Sequence, residues 1–242
     1  TAHLRGFRML DELGLLEEIL PEITAGKGVA QRPDYHRYDV FGHTMETFRV
    51  SPPEVRLAAL LHDVGKPICY QRTGRFFGHE EAGAEPARRI AYRVFGLPKR
   101  DAEEISSLVR WHMYDLAGET RENKLKKFLV RYAKIVPKLL LLKQADYLGG
   151  GLQTGECPTV TRWKALLRKM DQLGTPRSLR DLAVNGRDVE EVLPELPRER
   201  ISEVLNILLD ECICNEALNR RPVLLNRLER FRSGYRTPSD RT

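Results

Sequence analysis

The stretch LAALLHDVGKP, residues 57–67, decides how the rest of the chain is interpreted. Its apolar residues recur at the spacing of one helix face, which runs from Val55 to His62. Side chains at this spacing lie on one side of a helix, so His62 is predicted to face the protein interior. Asp63 follows directly, and the stretch therefore predicts a buried imidazole beside a carboxylate.

Other helix-like segments repeat this pattern with further metal-binding residue types. The inward positions are occupied by His43 after Val40, His112 after Ile105 and Leu108, and Asp146 after Leu139 and Leu142. A buried carboxylate costs on the order of several kcal/mol unless it is paired or binds a metal. A single histidine of this kind is more often a core residue, but the ordered combination indicates a metal site.

The residues divide into two predicted groups of ligands. One divalent ion is predicted to bind His43, His62, Asp63 and Asp146, with Asp63 able to bridge to a neighbour. His79 and His112 would complete a second, adjoining ion. Imidazole and carboxylate ligands suit Fe, Mn, Ni, Co or Zn. Two such ions form the arrangement that enzymes use for in-line attack on phosphorus.

Composition limits the class of protein. The chain has 242 residues, 41% hydrophobic and 31% charged, which is typical of a globular protein of one large domain or a domain with a smaller appendage. No run of residues is apolar enough to span a membrane, and no signal sequence opens the chain. The four cysteines form no CxxC pair, so we expect free thiols and a cytoplasmic location.

Apolar residues recur at helical spacing almost everywhere, which predicts an all-α protein. A glycine run at 149–151 marks a boundary, and we expect a neck-like segment at 1–35, a main domain at 36–150 and a C-terminal subdomain at 151–242. The segment from Ile68 to Phe77 predicts at most a short β-ribbon, and Pro86 is expected to start a new helix or to kink one. Because the chain begins at Thr1 within a helical pattern, we expect it to be part of a longer protein.

Positive charge is concentrated between residues 86 and 143, where 14 Lys and Arg face six Asp and Glu. Within this region a predicted helix from Glu122 to Val136 carries basic residues at spacings of three and four: Lys124, Lys127, Arg131 and Lys134. Such a stripe can follow an RNA backbone without reading bases, although a solvated surface is an equally good interpretation. Arg72 and Arg75 are further candidates for substrate phosphate, with a simple surface role as the alternative.

Several segments carry a resemblance to a known family. LLHDVGKP, with His43 before it and Asp146 after it, resembles the HD superfamily of metal-dependent phosphohydrolases. The segments DYHRYDVFGHT, GRFFGHEEAGAE and LAVNGRDV resemble, in this order, the C-terminal half of bacterial tRNA nucleotidyltransferases, the CCA-adding and poly(A) polymerase family. The opening RGFRMLDELGLLEEILPEI is similar to the neck of that family, so the resemblance covers about residues 4 to 230.

The resemblance implies a fold and an activity. It implies an HD-domain helical bundle with a smaller C-terminal helical subdomain, and metal ligands that match the six residues named above. Lys66 matches a lysine that lies near substrate phosphate, so Asp63 and Lys66 are the expected catalytic residues. The implied activity is that of a phosphatase or cyclic phosphodiesterase on nucleotides. The implied alternative is a non-catalytic module that binds tRNA.

The nucleotidyltransferase head of that family has a glycine–serine turn and a paired-aspartate motif, and neither occurs in this sequence. We therefore expect these residues to lack nucleotidyltransferase activity of their own and to form the C-terminal part of such a protein. The expected partners are a nucleotide or another phosphoester and tRNA or other RNA, with no membrane.

Overall fold

The computed structural model describes residues 2–232, and within that range the regular elements are all helices. The predicted all-α class is therefore confirmed. The α-helices are α1 (Ala2–Glu12), α2 (Leu15–Ile19), α3 (Pro21–Thr24), α4 (Val40–Val50), α5 (Arg56–Leu61), α6 (Gly65–Thr73), α7 (His79–Arg93), α8 (Lys99–Trp111), α9 (Glu122–Arg131), α10 (Val136–Gly149), α11 (Pro158–Gln172), α12 (Gly186–Val192), α13 (Arg198–Cys214) and α14 (Arg221–Arg232). Among these described helices, none is both long enough and apolar enough to cross a membrane.

The chain divides into two compact units. The first comprises the residues up to Glu119 together with Ala133–Arg162, and the second comprises Thr120–Tyr132 together with the residues from Trp163 onward. The second unit thus takes in α9 from the middle of the chain. The bounds at residues 35 and 150 that the sequence suggests stay a prediction.

Helix α5 is the centre of the first unit. It contacts α4, α7, α8 and α10, the helices that surround it. Its residues Ala58, Ala59, Leu60 and Leu61 are all buried. Two consecutive alanines keep the helix narrow, so that its neighbours can approach closely and bury their apolar faces. The ends of these five helices bring the predicted metal ligands to one interior position.

Two glycines permit helices of the first unit to meet backbone to backbone. A Cβ placed on Gly65, at the start of α6, would lie 2.0 Å from the carbonyl oxygen of His79 in α7. A Cβ on Gly149 in α10 would lie 2.0 Å from Oγ1 of Thr47 in α4. Any side chain at either position would push the helices apart, so these contacts set the spacing of the elements that carry the metal-binding residues.

The structure corrects three local predictions. The expected β-ribbon is wrong, because Ile68 to Thr73 belong to α6; Pro67 lies in the first turn of this helix, where its missing N–H is not needed. Pro86 does not start a new helix, since α7 is continuous through it. The helix predicted from Glu122 to Val136 ends at Arg131, and Pro137 lies in the first turn of the next helix.

The second unit has its own apolar core. Buried leucines and valines from α12, α13 and α14 form it, together with Cys212. Helix α12 begins with a capping box. The side chain of Asn185 accepts a hydrogen bond from the backbone N–H of Arg187, and the carboxylate of Asp188 accepts one from the backbone N–H of Asn185. An ion pair of 2.7 Å joins the buried Lys126 of α9 to the partly buried Glu216. These polar contacts fix the ends of helices that pack mainly through apolar residues.

Candidate metal centre

The six predicted ligands lie in or directly after five helices and meet in the interior of the first unit. His43 lies in α4, His62 and Asp63 follow α5, His79 begins α7, His112 follows α8 and Asp146 lies in α10. The four histidines and Asp63 are at most 3% exposed. The side chain of Asp146 is 17% exposed and gives the cluster its nearest contact with solvent.

One group of donor atoms forms around His43. Its Nε2 lies 3.1 Å from Nε2 of His62 and 3.0 Å from Oδ1 of Asp146. Nε2 of His62 lies 3.5 Å from the same Asp146 oxygen. Oδ2 of Asp63 completes the group at 3.2 Å from Nε2 of His62 and 3.5 Å from Nε2 of His43.

The second group lies on the other side of Asp63. Oδ1 of Asp63 is 3.2 Å from Nε2 of His79 and 3.7 Å from Nε2 of His112. The two histidine nitrogens are 3.2 Å apart. Asp63 thus presents one carboxylate oxygen to each group, which is the arrangement of a ligand that bridges two ions.

Backbone carbonyls orient three of the imidazole rings. Nδ1 of His62 lies 2.8 Å from the carbonyl oxygen of Ala59. Nδ1 of His79 lies 2.9 Å from that of Phe76, and Nδ1 of His112 lies 2.6 Å from that of Val109. A carbonyl only accepts, so in each ring Nδ1 carries the proton and donates it. Nε2 is then the ring atom aimed at the cluster, and in the neutral ring it carries the lone pair with which histidine binds metals.

This arrangement fits a divalent cation. Two bare nitrogen lone pairs 3.2 Å apart, as in His79 and His112, repel each other unless a positive charge lies between them. Both carboxylate oxygens of Asp63 are buried without a well-formed hydrogen bond. Two groups of residues could therefore hold a metal ion in the described part of the chain, His43 with His62 and Asp146, and Asp63 with His79 and His112.

The carboxylates of the cluster stay ionised despite their burial. Burial raises the pKa of Asp63, but His62 and Lys66 outweigh it and hold that pKa well below its usual range. Burial likewise raises the pKa of Asp146, whereas hydrogen bonds from His43 and His62 bring it well below the usual value. The site therefore presents two negative charges in a low-dielectric interior, where a cation is strongly attracted.

The imidazoles respond to those carboxylates in opposite ways. Burial lowers the pKa of His62, yet the charges of Asp63 and Asp146 raise it to about 10, so that a proton takes the place of a cation there. Burial and the neighbouring His79 lower the pKa of His112 to about 3. His112 is therefore neutral at physiological pH and its Nε2 is free to bind a metal.

Lys66 lies beside the cluster in the first turn of α6. Its Nζ forms an ion pair with Oδ2 of Asp63 at 2.7 Å and donates a hydrogen bond to Oε1 of Gln31 at 2.6 Å. Gln31 is held in turn by its own amide, which donates to the backbone oxygens of Tyr38 and Asp39. Gln31 cannot be identified from the sequence, because a glutamine in a loop 35 residues away from its partner belongs to no recognisable pattern.

Lys143 is a second residue that the sequence analysis missed. Its buried ammonium donates to the carbonyl oxygens of His112 at 2.6 Å and Tyr114 at 2.7 Å, where α8 ends. Burial lowers its pKa to about 8, so it remains mostly protonated at pH 7. A cation at this position satisfies the last carbonyls of α8 and fixes the backbone of His112. The i, i+3 spacing of Lys143 and Asp146 in a leucine-rich helix was the available signal.

The remaining predicted phosphate contacts lie outside the cluster. Arg72 in α6 and Arg75 after it are exposed. In α9, Lys124 and Arg131 are exposed, whereas Lys127 forms an ion pair with Asp210 at 2.8 Å. Lys134 lies beyond the end of α9, so the predicted four-residue stripe on one helix is wrong.

Comparison with known proteins agrees with this geometry. Residues 33–150, the segment that contains all six clustered residues, match the family model described as HD domain. Over these residues the chain is similar to HD domains. Asp63 and His62 are the pair after which such domains are named, and they lie where the two groups of donors meet.

Curated relatives extend the likeness beyond the HD domain. The chain is 33% identical over 219 residues to the A-adding tRNA nucleotidyltransferase of Deinococcus radiodurans, covering 85% of this chain and 50% of the relative. It is 33% identical to the CC-adding tRNA nucleotidyltransferase of Thermus thermophilus, covering 85% and 48%. It is 32% identical to the multifunctional CCA protein of Neisseria meningitidis serogroup A, covering 81% and 50%. The predicted resemblance is confirmed, and the chain spans about half the length of the curated relatives it matches.

Proposed function

We propose that the HD domain is a metal-dependent phosphohydrolase that cleaves nucleotide phosphoesters, as a phosphatase or a cyclic-nucleotide phosphodiesterase. The observation that carries the proposal is the position of Asp63, whose two oxygens each face a separate buried group of histidine nitrogens. One or two ions of Fe, Mn, Ni, Co or Zn match this donor set. Such ions supply neutralisation of phosphate charge and activation of water near neutral pH.

The protein's own residues have distinct tasks in this proposal. Asp63 holds the two groups of donors at a fixed separation. Any lone pair of its carboxylate that is not bound to an ion can orient an attacking water. Lys66 presents an ammonium 2.7 Å from Asp63, and this charge can bind a non-bridging phosphate oxygen. Gln31 limits the rotamers of Lys66, because its amide oxygen accepts a hydrogen bond from the ammonium group. Binding and charge neutralisation would therefore occur within the same few ångströms.

The test combines metal content with turnover. The chain is stripped with a chelator and reloaded separately with Mn²⁺, Ni²⁺ and Co²⁺, and it is then assayed on bis-p-nitrophenyl phosphate and on 2′,3′-cyclic nucleotides. We expect one or two bound ions per chain and turnover only in the reloaded protein. Bound metal without turnover on any phosphoester would reject the hydrolase and leave the metal site in place.

Two substitutions separate chemistry from folding. His62→Ala removes one of the nitrogen donors of the first group. We therefore expect loss of bound metal and of activity, with an unchanged circular dichroism spectrum. Leu108→Ala is the matched control, because Leu108 is fully buried in α8 and its side chain is no metal donor. That control is expected to lower stability and to retain the metal and the activity.

The second candidate function is a non-catalytic tRNA-binding module of a CCA-adding-type enzyme, in which the cluster is structural. The names of the relatives favour tRNA as a partner, and Lys124 and Arg131 offer exposed charge in α9. The affinity for tRNA should fall steeply with salt, and Lys124→Gln with Arg131→Gln should reduce the salt slope by about two. This candidate also places the protein in the cytoplasm, within a tRNA nucleotidyltransferase-like protein. Tight tRNA binding by a protein that shows no turnover with any metal would favour it.

A further inference from the structure

The loop between α6 and α7 exposes one aromatic side chain to solvent. Phe77 is 97% exposed, although Phe76 before it is partly buried and His79 after it is buried. Single exposed apolar residues are ordinary on protein surfaces, so exposure alone does not indicate a site. The position and the surroundings of Phe77 are what distinguish it.

Phe77 lies at the corner of a tight turn that is anchored at both ends. The carbonyl oxygen of Phe76 accepts from the backbone N–H of His79 at 3.1 Å and from Nδ1 of His79 at 2.9 Å. Gly78, the third residue of the turn, has a φ of 79°, which a turn of this kind requires at that position. Because consecutive Cα atoms are about 3.8 Å apart, Phe77 lies at most about 7.6 Å from the Cα of His79.

The preceding ring connects this turn to Lys66. Phe76 packs on Tyr70 with a centroid distance of 5.6 Å, and Nζ of Lys66 lies 5.7 Å from the centroid of Phe76. The same Nζ forms the ion pair with Asp63. Phe77 is therefore held by a turn whose other residues contact the metal centre and the lysine that we assign to phosphate.

Two exposed arginines precede Phe77 closely in the chain. Arg72 in the last turn of α6 and Arg75 at the start of the loop are both exposed. Aromatic rings beside cationic side chains are the combination with which proteins bind nucleotides, since bases stack on the rings and phosphates are attracted to the cations. A protein partner or a lipid would use the apolar ring, but neither explains its place two residues before His79.

We propose that Phe77 is a stacking platform for the base of a nucleotide substrate, whose phosphoester lies at the metal centre. This inference rests on the phosphohydrolase function proposed above, and it adds a specificity: phosphoesters that carry a purine or pyrimidine bind more tightly than those that carry none. Phe77 contacts the substrate and not the reacting atoms, so it acts on binding and leaves the chemical step unchanged.

The test compares a substrate with a base and one without. The full chain, loaded with Mn²⁺, is assayed on adenosine 2′,3′-cyclic phosphate and on methyl riboside 2′,3′-cyclic phosphate. Phe77→Ala should raise KM about tenfold for the nucleotide, with kcat and the baseless substrate unaffected. Phe77→Trp should restore the low KM. Tyr92→Ala is the matched control, because Tyr92 is also an exposed aromatic residue of α7 but lies about 20 Å along the helix from His79.

The outcomes separate the inference from the function on which it rests. Equal KM values for wild type and Phe77→Ala would overturn the stacking role while turnover persists. A rise in KM for both substrates would also overturn it, since it would indicate a displaced His79. If neither substrate is turned over, equilibrium dialysis with AMP and ribose 5-phosphate decides: a preference for AMP that Phe77→Ala abolishes supports the stacking site without the hydrolase, and no preference rejects both.

Discussion

Replacing Gly65 by alanine is expected to force α6 away from α7 and to damage the group of ligands that contains His79. The added Cβ would lie 2.0 Å from the carbonyl oxygen of His79 and 2.7 Å from the backbone nitrogen of Gly83. Ordinary contacts of a Cβ begin at 3.4 Å, so the backbone must move by roughly 1.4 Å. Because both neighbours are backbone atoms, no change of rotamer can relieve the clash.

The expected loss of stability is large for a single methyl group. Overpacking of a well-packed core costs about 1–3 kcal/mol, and we expect Gly65→Ala at or above the upper end, about 3 kcal/mol. The displacement also moves His79, whose Nε2 lies 3.2 Å from Oδ1 of Asp63. Functional sites tolerate errors of about 0.5 Å, so any metal binding by the group that contains His79 should be lost, while binding by His43, His62 and Asp146 is retained.

Urea unfolding and elemental analysis after loading with Mn²⁺ measure the two effects. Gly6→Ala in α1 is the control, because its Cβ would meet no atom within 4 Å and helix propensity alone should stabilise it by about 0.8–1.0 kcal/mol. Gly83→Ala, with a milder approach of 2.9 Å to the nitrogen of Gly65, provides a folded variant of intermediate severity. If Gly65→Ala unfolds at the wild-type urea concentration and binds as many ions, the role assigned to this contact is refuted.

Three further predictions concern metal and charge. Mn²⁺ at a hundred times its Kd should stabilise the first unit by about 2.7 kcal/mol and raise its Tm by roughly 5–11 °C, an effect that Asp63→Asn abolishes. Asp188→Asn should destabilise the second unit at pH 7, because a hydrogen bond and the charge of Arg221 lower the pKa of the Asp188 carboxyl in the folded protein. The stabilisation exists only while the carboxylate is ionised, so the difference in unfolding free energy between wild type and variant should shrink as pH falls through that pKa. Lys126→Ala should cost about 1–3 kcal/mol in urea unfolding, because it leaves the partly buried Glu216 with the hydrogen bond from Thr175 and without a cation, whereas Lys127→Ala, at a partly exposed pair, should cost less than about 1 kcal/mol.

Each of these predictions has an outcome that contradicts it. A Tm unchanged by Mn²⁺ would mean that the cluster binds no ion in the folded protein. A difference between wild type and Asp188→Asn that is the same at pH 7 and pH 3 would show that the carboxylate charge is irrelevant there. Equal losses for Lys126→Ala and Lys127→Ala would show that burial does not set the value of these ion pairs.

Much of the fold and of the cluster could be predicted from the sequence, because helical periodicity reports directly which side of a helix is buried. His43, His62, His112 and Asp146 each extend an apolar face, and all four lie in the interior. Polar residues at such positions are conspicuous, since burial is costly for them without a shared partner. The four side chains thus meet because the helix faces on which they lie pack together in the core.

The missed features depend on contacts that have no local pattern. The Ile68-Cys69-Tyr70 triplet is apolar and short enough to fit the period of a strand or of a helix, and the packing of α6 on α7 decides for the helix. Gln31 reaches Lys66 from a loop, and nothing in the residues around it indicates that its amide oxygen accepts. Contacts between residues that are distant in sequence determine both features, and no short segment of the chain predicts such contacts.

The carbonyls that orient the imidazoles belong to residues 59, 76 and 109, each three positions upstream of the histidine that it serves. Every amino acid has a backbone carbonyl, so these three positions can change identity without loss of the orienting contact. The histidine and its orienting group therefore form one local unit of four residues. An engineer could move such a unit to another helix end and expect the ring to keep its direction, with no accompanying side chain to transplant.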